Sequence, residues 1–179
     1  MEKAFSLVET NIKDIERNKL GIKVFNNIEY QDNRGILNIS YEGRLSGGIN
    51  SLSIKESFSK PYSARGMHHQ KRPFGQQKII SVEKGSILDF VFDTEQTERI
   101  LYFFQVDDSM KVNIYLPDNL AHGFIALTEV KFRYLCVGEY SEPHETTYNV
   151  FPSVKNLLNL DEITQSNKDS LFPNIEVFI

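Results

Sequence analysis

The chain has 179 residues, 40% of them hydrophobic, and 24 acids against 20 bases give a formal net charge of −4 and a pI near 5.6. That balance argues against a general nucleic-acid binder, whose electrostatic footprint is strongly basic. Length alone makes one domain the simplest expectation, since a chain of ~150 residues buries roughly two-thirds of its unfolded surface.

The opening stretch, "MEKAFSLVETNIKDIERNKL", mixes acids, bases and short apolar runs. It has neither the apolar core of a signal peptide nor the roughly 20 apolar residues of a membrane span, so a cytoplasmic protein without a membrane partner is expected. Next comes a succession of short runs with period-two character, broken by Gly, Asn, Asp or Pro: "GIKVFNNIEY", "GILNISY", "GINSLSIKESF", "KIISVE", "SILDFVFD", "RILYFFQVD", "KVNIYLP", "GFIALTE" and "VKFRYLCVGEY". No long helical period interrupts them, which predicts an all-β sandwich or barrel. Lys84-Gly85 reads as a tight hairpin turn joining "KIISVE" to "SILDFVFD", and "LSGGIN" reads as another turn. Only the tail, 151–179, is spaced for short helix plus loop. The single cysteine, Cys136, forms no internal disulfide and reads as a small strand hydrophobe.

Four kinds of chemistry are open to these residues. A metal site would draw on His68, His69, His122 and His144, but neighbours on an extended strand face opposite ways, which separates His68 from His69. No acid stands within 71–77 to complete a ligand set, so no metal is expected. His69 and His144 then read as surface or locally hydrogen-bonded imidazoles. Nucleophilic catalysis lacks its G-x-S-x-G elbow, and phosphate binding by a glycine loop lacks the lysine and the helix that follows. Proton transfer beside a carbonyl needs a base of near-neutral pKa, a cation for the developing enolate oxygen and an acid on the other face. "RGMHHQ" offers His68, "QQKII" offers Lys78, and "FRYLC" offers Tyr134 at the inward parity of Phe132 and Cys136. Taken singly, each has a plainer reading as core tyrosine, solvated lysine or satisfied histidine.

Five segments in order resemble the dTDP-4-dehydrorhamnose 3,5-epimerase family: "DNRGILNISY", "ARGMHHQ", "QQKIISVEKGSILDFVFD", "IYLPDNLAHGF" and "FRYLCVGEYSEPHE", with "SNKDSLFP" as a weaker sixth. The resemblance runs from Tyr30 to Pro173, with its motif-bearing core over about 30–150 and a tail over 151–179. It implies a cupin-type jelly-roll sandwich, a homodimer, and an epimerase that inverts C3, C5 or both of a nucleotide-linked 4-keto-6-deoxy sugar, with no cofactor. By position, the resemblance makes His68 the base, Asp169 its orienting carboxylate, Tyr134 the proton donor and Lys78 the group that holds the 4-keto oxygen. His122 would line the same pocket. Arg65, and Arg34 from the other subunit, would contact the diphosphate. Tyr140 and Tyr30 would form an aromatic slot for the base, and Glu145 and Lys168 would complete the binding set. The nucleoside end departs from the family pattern: Ile36 replaces a phenylalanine, Ile39 a glutamate that contacts thymine, and Ser53 and Lys55 a glutamine and an asparagine. A thymine N3–H facing Ile39 loses its acceptor, so a CDP-linked sugar is the first alternative carrier. A 3,4-ketoisomerase and a non-catalytic sugar-nucleotide binder are the competing functions.

Overall fold

The computed structural model describes residues 4–40 and 51–179. In chain order the strands are β1 (Phe5–Glu9), β2 (Lys23–Asn26), β3 (Ile28–Asp32), β4 (Gly35–Ile39), β5 (Leu52–Ser59), β6 (Ala64–Gln70) and β7 (Gln77–Lys84). They continue with β8 (Ser86–Asp93), β9 (Ile100–Asp107), β10 (Val112–Leu116), β11 (Leu120–Ala126), β12 (Val130–Val137), β13 (Glu145–Thr147) and β14 (Val177–Phe178). Two short helices, α1 (Phe151–Leu157) and α2 (Asn167–Ser170), lie between β13 and β14. A seven-stranded sheet, β13-β6-β11-β8-β9-β1-β14, faces a five-stranded sheet, β2-β10-β7-β12-β5, and β3 and β4 form a separate hairpin. The expected jelly-roll sandwich is what the chain adopts. None of its described helices is long and apolar enough to cross a membrane.

The central strands β8 and β11 of the larger sheet are buried on both faces, which explains their nearly unbroken apolar runs. Along β8, Ile87 and Val91 face the core between the sheets and meet Ile80, Ile114 and Phe132 of the smaller sheet. Phe90 and Phe92 point the other way, into a second layer closed by Phe151 and Val154 of α1 and by Ile175 and Val177 of the tail. Phe90 meets Phe151 edge to face at 5.5 Å, and burying one such side chain is worth about 1.5–3 kcal/mol. The tail is therefore more than helix and loop, because β14 also adds a parallel strand beside β1.

Three local expectations need correction. Lys84-Gly85 is not a hairpin: β7 lies in the five-stranded sheet and β8 in the seven-stranded one, so the chain changes sheet there. Gly85 sits at φ +89, and a Cβ on it would lie 2.2 Å from the Glu129 carbonyl oxygen, so the crossing is packed against backbone. "GIKVFNNIEY" divides at Asn27 into β2 and β3, which belong to different sheets. The "GFIALTE" strand begins earlier, at Leu120, which draws His122 into β11. The proposed "LSGGIN" turn lies outside the described residues.

The β3–β4 hairpin projects as an arm. Its register sets Tyr30 opposite Leu37 and Ile28 opposite Ile39, which aligns apolar side chains on one face. That face is open: Tyr30, Ile28 and Leu37 are all exposed. An ion pair of 2.8 Å between Lys111 and Glu29 ties the arm to the loop before β10.

Candidate active site

The site grows from the pairing of β6 with β11. His68 lies opposite His122, so the two imidazoles share a face. Arg65 is three residues before His68, and on a regular strand it would point the other way. The register slips between these pairs, however, so that Phe124 faces Arg65. This one-residue bulge resets the parity and brings Arg65 and His68 onto one surface. Gly66 occupies the bulge at φ +100, and a Cβ there would come within 2.7 Å of the His122 carbonyl oxygen. No larger residue fits between the strands that carry the two histidines.

The opposite wall comes from the five-stranded sheet. In its register Tyr134 pairs with Ile80 and Lys55, and Cys136 pairs with Lys78 and Ser53. Lys78 and Ile80 of β7, Phe132 and Tyr134 of β12 and Ser57 of β5 thus face Arg65, His68, His122 and Phe124 of the larger sheet across one pocket. The pocket together with its open mouth spans about 450 Å³ of empty space.

Each histidine has its own carboxylate. His68 Nε2 donates to Asp169 Oδ1 at 2.7 Å. Asp169 is the third residue of α2, whose first turn is closed by the Ser166 hydroxyl accepting from the Asp169 N–H at 3.0 Å, so an S-x-x-D cap fixes its position. Burial acts to raise the Asp169 carboxyl, but bonds from His68, Ser166 and the Gly66 N–H outweigh it and hold the group below the usual carboxylate range. It therefore stays ionised, and the His68 lone pair is left on Nδ1. His122 Nε2 donates to Asp89 Oδ1 at 2.6 Å, and Asp89 is fully buried.

Lys78 has no ion-pair partner among the described residues. Burial lowers its ammonium below the usual lysine range, and the positive charge of Lys55 adds to the effect. Burial likewise raises the Tyr134 phenol, which keeps it protonated at neutral pH. Arg65 is braced against β5, with Nε donating to Ser59 Oγ at 2.8 Å and Nη2 to the Phe58 carbonyl at 3.2 Å.

Of the residues singled out in the sequence, Arg65, His68, Lys78, His122 and Tyr134 meet in this pocket, with Asp169 behind His68. Glu145, Lys168 and Tyr140 form a neighbouring cluster: Lys168 Nζ donates to Glu145, and the Tyr140 hydroxyl reaches the same carboxylate at 3.4 Å. Glu145 stands on β13, paired to β6. Tyr30 and Arg34 are not brought to this pocket within one chain. They line a separate concavity on the arm, where Arg34 pairs with Asp32 at 2.6 Å. His144 meets Ser141 Oγ at 2.7 Å, a local bond, whereas His69 bonds the distant Asp118 carbonyl at 3.2 Å, between β10 and β11. Cys136 is a buried free thiol. The described residues include no cluster of three or more His, Cys, Asp or Glu suited to a metal ion.

Two polar residues that bear on the site, Asp89 behind His122 and Ser57 on the pocket wall, are not singled out by the sequence. Asp89 was visible as a lone acid at the inward parity of "SILDFVFD", where an unpaired charge is costly and a partner such as His122 is required. Ser57 alternates with Phe58 on β5, and its hydroxyl is buried without a partner. The exposed apolar parity of that strand hid it.

A family model described as dTDP-4-dehydrorhamnose 3,5-epimerase matches residues 18–176. The dTDP-4-dehydrorhamnose 3,5-epimerase of Mycobacterium tuberculosis is 32% identical over 104 residues, which take in 54% of this chain and 52% of the relative. A dTDP-4-dehydrorhamnose 3-epimerase of Streptomyces niveus is 31% identical over 85 residues, 45% of this chain and 41% of the relative. The matched parts thus span about half the length of these curated relatives. The crystal structure of the dTDP-4-dehydrorhamnose 3,5-epimerase of Sulfolobus tokodaii superposes with a TM-score of 0.72 at 28% identity, covering 87% of this chain and 90% of that one.

Proposed function

The chain belongs to the dTDP-4-dehydrorhamnose 3,5-epimerase family, and on that footing we propose that its pocket epimerises a nucleotide-linked 4-keto-6-deoxy sugar at C3, C5 or both. The observation that carries this reading is the placement of a carboxylate-oriented imidazole and a protonated phenol on opposite walls of one pocket, with an unpaired lysine beside them.

In this reading His68 Nδ1 takes the proton from the carbon beside the keto group. The electron pair of the C–H bond forms the enolate, and the negative charge collects on the 4-oxygen against Lys78. Tyr134 then returns its own phenolic proton to the same carbon from the other side, which inverts that centre. Asp169 holds the tautomer of His68 and stabilises the imidazolium that forms. His122, fixed by Asp89, lines the pocket beside the sugar. A 3,4-ketoisomerase has no need of a phenol on the wall opposite its base, and a mere binder has no need of an oriented base.

The partner in this account is a second copy of the chain. Support comes from the open apolar face of the arm, and from Leu52, Ile54 and Phe58, which stand exposed on the outer parity of the edge strand β5. Docking the arm on another copy brings Arg34 toward the diphosphate and Tyr30 toward the base beside Tyr140. Glu145 and Lys168 sit at that rim.

Tyr134→Phe tests the assignment. The variant keeps the ring and loses the transferable proton, so exchange of the substrate carbon-bound hydrogen with solvent continues through His68 while inversion slows by about 10²-fold or more. Parallel and small effects on exchange and inversion return Tyr134 to a packing role. The measurement is deuterium incorporation by NMR alongside product stereochemistry, across nucleotide-linked 4-keto sugars with thymine, cytosine, uracil and guanine bases.

A further inference from the structure

On the outer face of the five-stranded sheet the cations are matched by acids: Lys131 pairs with Glu56 at 3.1 Å, and Arg133 with Glu56 at 3.3 Å and Glu83 at 3.2 Å. The pocket side differs. Among the described residues, none of Arg65, Lys78 and Lys55 has a carboxylate at ion-pair distance. Arg65 and Lys78 line the pocket, and Lys55 approaches it through the ring of Tyr134, one of the lining residues. Lys55 Nζ lies 5.8 Å from the centre of the Tyr134 ring and 5.5 Å from that of Tyr140, so it bridges the deep phenol and the aromatic at the mouth. Opposite Tyr134 in the register, its side chain shares the pocket face of the sheet.

The carboxylates near the pocket are already engaged, Asp169 by His68, Asp89 by His122 and Glu145 by Lys168, so three cations without ion pairs of their own favour a ligand that brings counter-charge. A diphosphate diester carries two negative charges, and an enolate formed beside it adds a third. The three cations match that total only once the enolate exists. Lys78 is the one placed beside the sugar, which leaves Arg65 and Lys55 for the phosphates.

Resting on the nucleotide-sugar reading above, we propose that Lys55 is a substrate-contacting residue that, together with Arg65, holds the diphosphate and sets how tightly this chain binds its substrate. The ring faces of Tyr134 and Tyr140 keep its ammonium extended toward the mouth. Because the diphosphate is held alike before and during the reaction, loss of Lys55 raises KM and leaves kcat nearly unchanged.

Inorganic pyrophosphate is a probe that avoids the question of the base. Calorimetry on the wild type, Lys55→Met and Lys55→Arg is expected to show pyrophosphate affinity falling about tenfold or more in the methionine variant, a difference of ~1.4 kcal/mol, and largely retained in the arginine variant. Equal affinity in the wild type and Lys55→Met overturns the proposal. So does a wild type that turns over a nucleotide-linked 4-keto sugar without binding pyrophosphate, though the functional reading then stands. A wild type that neither binds pyrophosphate nor acts on any such sugar overturns both.

Discussion

Replacing His68 with asparagine lowers exchange of the substrate carbon-bound hydrogen with solvent by about 10²–10⁴-fold, the usual cost of removing a positioned base. Asparagine is a small polar replacement, and the strand pairing with His122 is made by the backbone, so the fold survives and nucleotide binding persists. What disappears is a basic nitrogen facing the pocket. The Asp169→Asn variant is the companion, because it replaces the charged acceptor of His68 Nε2–H with a neutral amide. It keeps the imidazole and shifts the pH profile of exchange, whereas a purely structural role for Asp169 leaves that profile in place. Exchange at the wild-type rate in His68→Asn defeats the assignment of the base.

Lys78→Met moves activity and stability in opposite directions. Activity falls by about 10²–10³-fold, as expected when one donor to a developing oxyanion is removed from a water-poor site. Stability rises, because burial and Lys55 hold the folded-state pKa of Lys78 below its unfolded value. The sign follows from proton binding: between the two values the unfolded chain holds the proton more firmly, so the wild type gains stability as pH rises through that window. Below that window the charged lysine is a standing cost that methionine removes. For a domain of this size each kcal/mol recovered raises Tm by about 2–4 °C. Thermal unfolding measured from neutral to alkaline pH on both proteins checks this, and the advantage of the variant shrinks as the wild-type lysine deprotonates. An unchanged or lower Tm with full activity places Lys78 outside the strained, functional set.

How much of this was legible in the sequence depended on what each strand has to do. Strands packed into the core announced themselves, because the alternation in "KIISVE" and the unbroken run in "SILDFVFD" are direct images of one-sided and two-sided burial. β6 did not read as a strand by pattern: its side chains line the pocket, so Arg65 and His68 stand where a core strand carries apolar residues. The bulge at Gly66 that aligns those two residues has no periodic signature either. β1 was lost among charged neighbours because only Phe5 and Leu7 of its five residues reach the core. Lys84-Gly85 showed the glycine a turn needs but not the destination of the chain, which depends on how β7 pairs with β10 and β12. Single-residue chemistry at His68, Lys78 and Tyr134 was suggested by residue type and sharpened by the resemblance. The Asp89–His122 pair joins positions 33 apart and needed the β8–β11 register to become visible.

The central claim is that one pocket removes and returns a proton on opposite faces of a sugar carbon. Incubation of the wild-type chain with nucleotide-linked 4-keto-6-deoxy sugars in deuterium oxide, followed by NMR of the sugar protons, tests it most directly. The account predicts an inverted C3 or C5 bearing deuterium from the solvent, with the carbonyl still at C4. Inversion that retains the original hydrogen, migration of the carbonyl to C3, or unchanged sugar throughout the panel contradicts it.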